Sequence, residues 1–519
     1  MKQKQRHKNI KIGGLIIFLG ILMLSPMVAL LFYTDEIGYW YAFLIPVIAT
    51  IVIGLAIIGI GNLVQKLKKN KKPIKDAQLG IQQENIYAQN PQQNYKTISL
   101  VVLGIWLYSF LAGSLPFFIA GQLDFVRSLF ESVSGWTATG LSAIQDIDKT
   151  PKIFLLHRSF MQYCGGVGFV MVILTFVKGR QAMLMYSAEG HTDHIAPSLK
   201  KTVRTILIMY VGITILATII FVLCGMSFFE AFNRAMVTLS TGGFSTTSIE
   251  QSNIAVDIFT VLFMFIGMTN FAVLMLLFKG KFKKFAMLSE IRFLGLLLLI
   301  SIPTVAISLV VQSNFTVDHA FGSSILHIMG GLSTAGYNPD SLLQWSQLAI
   351  LILICIMLIG GCSGSTSGGL KIYRVYLLCR IGIINLYKKI APSRKVSSPH
   401  YTKLNGKTPL DDATIQETTG FFLLYGFIFL IGTFTLTAIG DYDITESAFN
   451  FASSLSTAGF VLGDSLSQAS IGTLITLMFG MILGRLEIYI VLIGIYTLFE
   501  KSAKGINNLW LTNCRQQKN

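Results

Sequence analysis

The sequence is poor in charge. Lys, Arg, Asp and Glu make up 13% of its 519 residues, against about 25% in soluble globular domains. Cysteine is scarce too. Cys164, Cys224, Cys355, Cys362, Cys379 and Cys514 are scattered with no CxxC pair, which speaks against a disulfide framework or a zinc site. The sequence has no GxSxG, no HExxH and no paired aspartates within its apolar runs. A polytopic membrane enzyme, such as an intramembrane protease or acyltransferase, would therefore lack its catalytic constellation, and the chain is expected not to be an enzyme.

What the sequence has instead is apolar length. A hydrocarbon core about 30 Å thick needs about 20 apolar residues per helix. Residues 15–32 and 39–60 meet that requirement, and about ten such runs follow one another along the chain. The first run follows a basic stretch, residues 2–11, but a second run comes directly after it with no small-residue cleavage site between them. It reads as a span and not as a secretory signal.

The net charge of +16 does not indicate nucleic acid, because of where the charge lies. Basic clusters at 2–11, 66–75, 178–180, 200–204, 279–284 and 388–395 are separated by apolar runs, usually in pairs. That is the positive-inside pattern. The intervening loops carry Asp35, Glu36, Asp124, Asp146, Asp148, Glu250, Asp257, Asp318, Asp441, Asp443 and Asp464. The expectation is a multi-pass protein of a prokaryotic plasma membrane, with both termini cytoplasmic, lipid as its solvent and no nucleic-acid partner.

The expected organisation is an N-terminal transmembrane hairpin over residues 1–66 and a cytoplasmic polar linker over 67–94, too rich in Lys, Gln and Asn to fold alone. Four repeats follow, at 95–180, 181–285, 286–390 and 391–519, the last including a cytoplasmic tail. Each repeat is an apolar span, a short semi-polar stretch ending in a cluster of small and hydroxyl residues, and a second apolar span. The clusters are Thr137-Ala138-Thr139-Gly140-Leu141, Leu239-Ser240-Thr241-Gly242-Gly243, Ser333-Thr334-Ala335-Gly336-Tyr337 and Ser456-Thr457-Ala458-Gly459-Phe460. Phe130, Phe232, Leu326 and Phe449 each stand ten residues before Gly140, Gly242, Gly336 and Gly459, about three helical turns. A half-helix is therefore predicted to lead into each cluster.

One S-T-x-G is an ordinary turn. Four copies, each between two apolar spans, need a common reason, because irregular backbone at membrane depth is tolerated only where it is buried in protein or lines water. Ion filters supply that reason. Their backbone carbonyls replace the ion's hydration shell, and glycine permits the unusual dihedrals this requires. The C-terminal end of each half-helix would add partial negative charge, which favours cations. The fold class is therefore all-α and polytopic, a hairpin plus four span–pore helix–span repeats around one central pore.

At this point the chain resembles the Trk/Ktr/HKT superfamily of potassium transporters, most closely its bacterial TrkH branch. The resemblance covers nearly the whole length. Beyond the clusters it extends to Gly165-Gly166-Val167-Gly168, to Asn270-Phe271-Ala272, to the segment from Gly360 to Lys371, and to Gly484-Arg485-Leu486-Glu487. The N-terminal hairpin is similar to the TrkH branch. The resemblance implies potassium as the transported ion and no other cofactor on this chain. The filter residues it implies are Ala138, Thr139, Gly140 and Leu141; Ser240, Thr241, Gly242 and Gly243; Thr334, Ala335, Gly336 and Tyr337; and Thr457, Ala458, Gly459 and Phe460. It further implies two protomers per assembly and a cytoplasmic RCK-type subunit that binds nucleotides. No Rossmann glycine fingerprint occurs here, so that subunit would be a separate protein. The resemblance implies that glycine at all four ring positions, Gly140, Gly242, Gly336 and Gly459, favours potassium. Ser142, Phe244, Asn338 and Val461 stand where a full TVGYG filter has its second glycine, which predicts imperfect rejection of sodium. The alternative is a less selective, or sodium- or proton-coupled, monovalent cation transporter. A secondary transporter with a midplane site would show two inverted halves, which four same-sense units do not.

Two features bear on gating. Gly360, Gly361, Cys362, Ser363, Gly364, Ser365, Thr366, Ser367, Gly368 and Gly369 interrupt an apolar span with helix-poor residues. A broken helix at membrane depth lines a cavity; a cytoplasmic loop marked by Lys371 and Arg374 is the other reading, and the resemblance favours a gate below the filter that includes Lys371. Arg485 lies near the middle of the apolar run 471–499, read as one helix. It is expected either to face the ion pathway, as the resemblance implies, or to pair with a carboxylate. Glu487 is nearest but wrongly spaced for facing side chains on a helix. His191 and His194 form an HxxH with no third ligand and read as a solvated loop. Glu131 and Glu230 are read either as drawing cations to the pore mouth or as solvated surface.

Overall fold

The computed structural model describes residues 13–69, 91–167, 199–248, 253–337, 341–390, 400–404 and 406–500. His191 and His194 lie outside the described residues, as does most of the expected linker. The helix Pro91–Ile119 already begins inside the linker's expected bounds.

Helix dominates because the apolar runs satisfy their backbone groups internally, the only open arrangement that hydrocarbon tolerates. Among the described residues six helices are long and apolar enough to cross a membrane: Gly13–Leu31, Thr34–Leu63, Lys96–Ile119, Lys201–Leu223, Ser289–Ser313 and Asp412–Ile439. Two further helix pairs are long and apolar enough only when taken together, and both are bent. Ile254–Met268 and Phe271–Phe278 meet at 117°, and Ile471–Arg485 and Ile488–Glu500 at 108°. The outer faces expose large apolar side chains such as Leu299, Ile307, Val311, Leu423 and Phe427, which suits lipid as the surrounding solvent.

Four short helices, Phe125–Trp136, Phe228–Leu239, Val317–Ser333 and Ile444–Ser456, each follow a long span and end in one of the four clusters. Three of the four starts are fixed by side-chain N-terminal caps; Thr316, before Val317–Ser333, makes none. The Asp124 side chain accepts from Arg127 N at 2.9 Å, and Ser227 Oγ from Glu230 N at 3.3 Å. Asp443 and Glu446 form a reciprocal capping box, at 2.7 and 3.1 Å. Such caps contribute about 1 kcal/mol each. The C-terminal halves are wholly buried although rich in hydroxyls, with Ser132, Ser134, Ser453, Ser454 and Ser456 all at zero exposure. Backbone acceptors take up several of these hydroxyls: Ser132 Oγ donates to Phe110 O at 2.6 Å, and Ser454 Oγ to Leu477 O at 2.6 Å.

The N-terminal hairpin is held close by glycine, since a Cβ on Gly13 would meet the carbonyl oxygen of Gly54 at 2.6 Å. The hairpin docks on the first unit through Glu36. Its carboxylate accepts from the backbone N–H groups of Lys152 (2.6 Å) and Ile153 (2.9 Å). These are the first residues of the helix Lys152–Gly166, whose N-cap position is Pro151 and offers no side-chain cap. A carboxylate there satisfies orphan donors and complements the helix dipole.

A small antiparallel hairpin, His400–Lys403 with Gly406–Pro409, pairs His400 with Pro409 and Lys403 with Gly406. The hydropathy reading gave no hint of it.

Candidate functional site

The four clusters come together. A Cβ placed on Gly140 would fall on the carbonyl oxygen of Gly242, and one on Gly243 would fall on the backbone nitrogen of Gly336. A Cβ on Gly336 would fall on the Ala458 carbonyl, and one on Gly459 on that of Thr139. The contacts run from first cluster to second, third, fourth and back to first, so they close a ring of backbone. No side chain fits between the strands of that ring.

The ring corrects the alignment of the second cluster. Every short helix ends through a residue in the left-handed region: Ala138, Thr241, Thr334 and Thr457, with φ of 57–58°. The following N–H bonds five residues back: Thr139 to Ser134 O, Gly242 to Val237 O, Ala335 to Gly330 O and Ala458 to Ser453 O. The next residues are Gly140, Gly243, Gly336 and Gly459. Three of these, Gly140, Gly243 and Gly459, have φ of 99°, 89° and 87°, which only glycine adopts readily. The member of the ring in the second cluster is thus Gly243, where the ten-residue spacing from Phe232 pointed to Gly242. Gly242 is the counterpart of Thr139, and its carbonyl is the one that meets Gly140.

Beneath the ring the second span of each unit changes character. Gly165 and Gly166 pass under Trp136 and Ser240, Gly267 under Leu239, and Gly484 under Leu455, each so closely that a Cβ would collide. The third unit leaves its helix altogether between Gln347–Ile359 and Ile372–Ile390. The two ends of this excursion are stitched together: Leu370 N donates to Leu358 O at 3.0 Å, Lys371 N to Ile359 O at 2.8 Å and Ile372 N to Gly361 O at 2.9 Å. Lys371 sits at φ 76°, and its Nζ donates to Ser367 O. The tip reaches the underside of the ring. Thr366 Oγ1 donates to Gly267 O (2.9 Å) and Leu239 O (3.2 Å), and Gly368 N donates to Thr334 Oγ1 at 2.9 Å. Gly368 also packs on Ser456 O and Thr457 Oγ1. The loop is anchored at its base by Asn270, whose Nδ2 donates to Ser363 O at 2.6 Å, and by Glu290, which accepts from Ser363 N at 2.7 Å. The loop thus packs against the ring.

Arg485 departs from its expected setting. The run 471–499 is not one helix; Arg485 is the last residue of Ile471–Arg485, where the chain bends. Its guanidinium donates to Thr366 O at 2.6 Å, to Gly166 O at 2.7 Å and to Gly165 O. It thereby joins the loop tip to the first unit. Glu487 turns elsewhere and takes Arg374 in two parallel bonds, at 2.9 and 3.2 Å. A cavity of about 30 Å³, room for a water or two, lies beside the loop among Ser365, Ser367, Lys371, Arg485 and Glu487.

Glu131 is not solvated surface, as one reading had it. It is fully buried and ion-pairs with Arg158, Oε2 to Nε at 3.0 Å. Sequence reasoning passed over Arg158, although a charge within an apolar run was the signal used for Arg485.

Taken together, a polytopic helical bundle with a closed backbone ring and a polar loop packed against it has the architecture of a membrane transport protein. The known proteins that this chain is similar to say the same. A sequence model of the TrkH family, described as cation transport protein, matches residues 88–503. The chain belongs to the TrkH family, a family of transport proteins and not of enzymes. The chain is 27% identical over 504 residues to an uncharacterized cation transporter of Methanocaldococcus jannaschii, covering 95% of this chain and 96% of that protein. It is 29% identical over 431 residues to the Trk system potassium uptake protein TrkH of Vibrio parahaemolyticus, covering 78% and 86%. The crystal structure of the potassium transporter TrkH from that organism superposes with a TM-score of 0.76 at 25% identity, covering 93% of this chain and 98% of that one.

Proposed function

We propose that the chain takes up potassium across the plasma membrane of a prokaryote, through a filter formed by Ala138–Leu141, Thr241–Phe244, Thr334–Tyr337 and Thr457–Phe460. The observation that carries this reading is the ring closed by Gly140, Gly243, Gly336 and Gly459 against neighbouring backbone, three of them against a carbonyl oxygen. Such a ring presents oxygens in place of the ion's hydration shell and leaves no room for side chains. The short helices aim their C-terminal, partly negative ends at the same point. The potassium specificity draws support from the similar TrkH of Vibrio parahaemolyticus.

The loop 360–369 acts as the gate beneath the filter, latched by Arg485 and stiffened at its end by Lys371. Control comes from a separate cytoplasmic RCK-type nucleotide-binding subunit, and two copies of this chain assemble. Family membership supports both partners, and the charge pattern of the loops supports the orientation with both termini cytoplasmic. The test is potassium flux into vesicles carrying the purified chain, with Gly140→Ser beside wild type. Selective potassium flux that becomes sodium-tolerant in the variant supports the reading; an unchanged ion preference in a folded, conducting variant overturns the assignment of the ring.

A further inference from the structure

With the second cluster realigned, the ninth residue before each ring glycine is Glu131, Arg234, His327 and Asn450. All four are buried, each is polar, and each touches backbone or an aromatic ring just past a ring glycine. Asn450 grips its own unit: Nδ2 donates to Leu462 O at 2.8 Å, and Oδ1 accepts from Leu462 N at 2.9 Å. Glu131 does the same, with Oε1 accepting from Ala143 N at 2.6 Å and Ser142 Oγ at 2.7 Å. Leu462 and Ala143 both lie three residues after their glycines. The other contacts cross between units. Arg234 lies over the ring of Tyr337, 4.7 Å from its centroid, and His327 stacks on Phe460 at 5.8 Å. Arg158, the ion-pair partner of Glu131, lies over Phe244 at 3.9 Å. Phe244, Tyr337 and Phe460 each directly follow a ring glycine.

We infer that Glu131 and Arg158 form a brace that fixes the first and second strands of the ring relative to each other and thereby sets ion selectivity, as positioning residues that do not touch the ion. This rests on the reading of the ring as a filter. The chain of contacts is continuous: backbone of Ala143, Glu131, Arg158, Phe244. The pair is desolvated on both sides, at 0% and 1% side-chain exposure, and Arg158 Nη1 has no hydrogen-bond partner among the described residues. A buried charge in that state is held by its counter-ion and by the aromatic face. Carbonyl positions in a filter decide between ions of different radius, so a brace that shifts them shifts the permeability ratio. In this brace the cross-unit contact runs through an ion pair, which stiffens it.

The test compares reversal potentials in planar bilayers under potassium and sodium gradients for wild type, Glu131→Gln, the doubly neutral Glu131→Gln/Arg158→Gln, and Phe244→Leu. The double variant avoids an uncompensated buried charge, and Phe244→Leu leaves the pair intact while removing its contact to the second strand. The expected result is a fall in the potassium-to-sodium permeability ratio of about tenfold in each folded variant, with conduction retained in the two Glu131 variants. A purely structural pair would lower yield and melting temperature without moving that ratio, and an unchanged ratio in the folded double variant overturns the inference. Failure of all three to fold would make the pair a folding element and overturn it as well. A wild type without potassium preference would instead refute the filter reading itself, which keeps the two failures apart.

Discussion

Gly459 lies against the carbonyl of Thr139, and that contact closes the ring between the last unit of the chain and the first. Some 320 residues of sequence separate the two. The closure makes the order of units around the axis the order along the chain, and it makes every ring position sensitive to added volume.

The realigned second cluster gives a sharp test. Gly243→Ala would place a Cβ on the backbone of Gly336 at φ 89°, whereas Gly242→Ala meets the far end of the Gln162 side chain and not backbone. Gly243→Ala is expected to lower potassium-over-sodium preference by about tenfold or to abolish conduction, and Gly242→Ala to retain most of it. Ion-competition flux in vesicles reads both. The opposite ranking would restore Gly242 to the ring.

Arg485 is expected to hold the loop shut by its bonds to Thr366 O, Gly165 O and Gly166 O. Arg485→Ala removes these donors and leaves the loop tip its bonds through Thr366 and Gly368. Flux should rise by about tenfold, corresponding to a barrier lower by about 1.4 kcal/mol. Lys can reach one or two of the three carbonyls, so Arg485→Lys should fall between. Isotope flux per folded protein checks the series; unchanged or lower flux in Arg485→Ala would assign Arg485 to structure alone.

Shortening the loop should act in the same direction. Deletion of residues 363–367 removes the Thr366 contacts to Leu239 and Gly267 while leaving the stitched ends, Leu370 to Leu358 and Lys371 to Ile359. Flux should increase, or control by a regulatory subunit should weaken. An intact deletion variant with wild-type flux and control would remove the loop from the gating account.

Glu36 offers a prediction separate from transport. Glu36→Ala strips two backbone N–H groups of their acceptor at the start of Lys152–Gly166. Stability should fall by about 1 kcal/mol, seen as a lower melting temperature of the purified protein, with flux per folded molecule unchanged. A loss of ion preference would mean that the hairpin also shapes the ring.

Much of this was legible from residue types. The hairpin, the long spans and the four clusters follow from apolar length and from small residues recurring between spans. The break at 360–369 was visible because glycine and serine mark it. The bends at Thr269-Asn270 and at Leu486-Glu487 were not, because one or two polar residues within a long apolar run do not by themselves end a helix. Gly242 and Gly243 both satisfy the pattern of the second cluster, and the end of the helix Phe228–Leu239 decides between them. Arg485 was found as a charge in an apolar run, but its partners are carbonyls from two other units, which no spacing rule reaches. The pairing of Glu131 with Arg158 likewise depends on two helices meeting and not on their separation along the chain.

The central claim is that the closed backbone ring selects potassium. The most direct measurement is the reversal potential of the purified wild-type protein in a planar bilayer with potassium on one side and sodium on the other. The account predicts a current whose reversal potential lies well toward the potassium equilibrium value, and short of it because the ring lacks a second glycine tier. A reversal potential at zero, or no current and no flux without an added organic substrate, would contradict it.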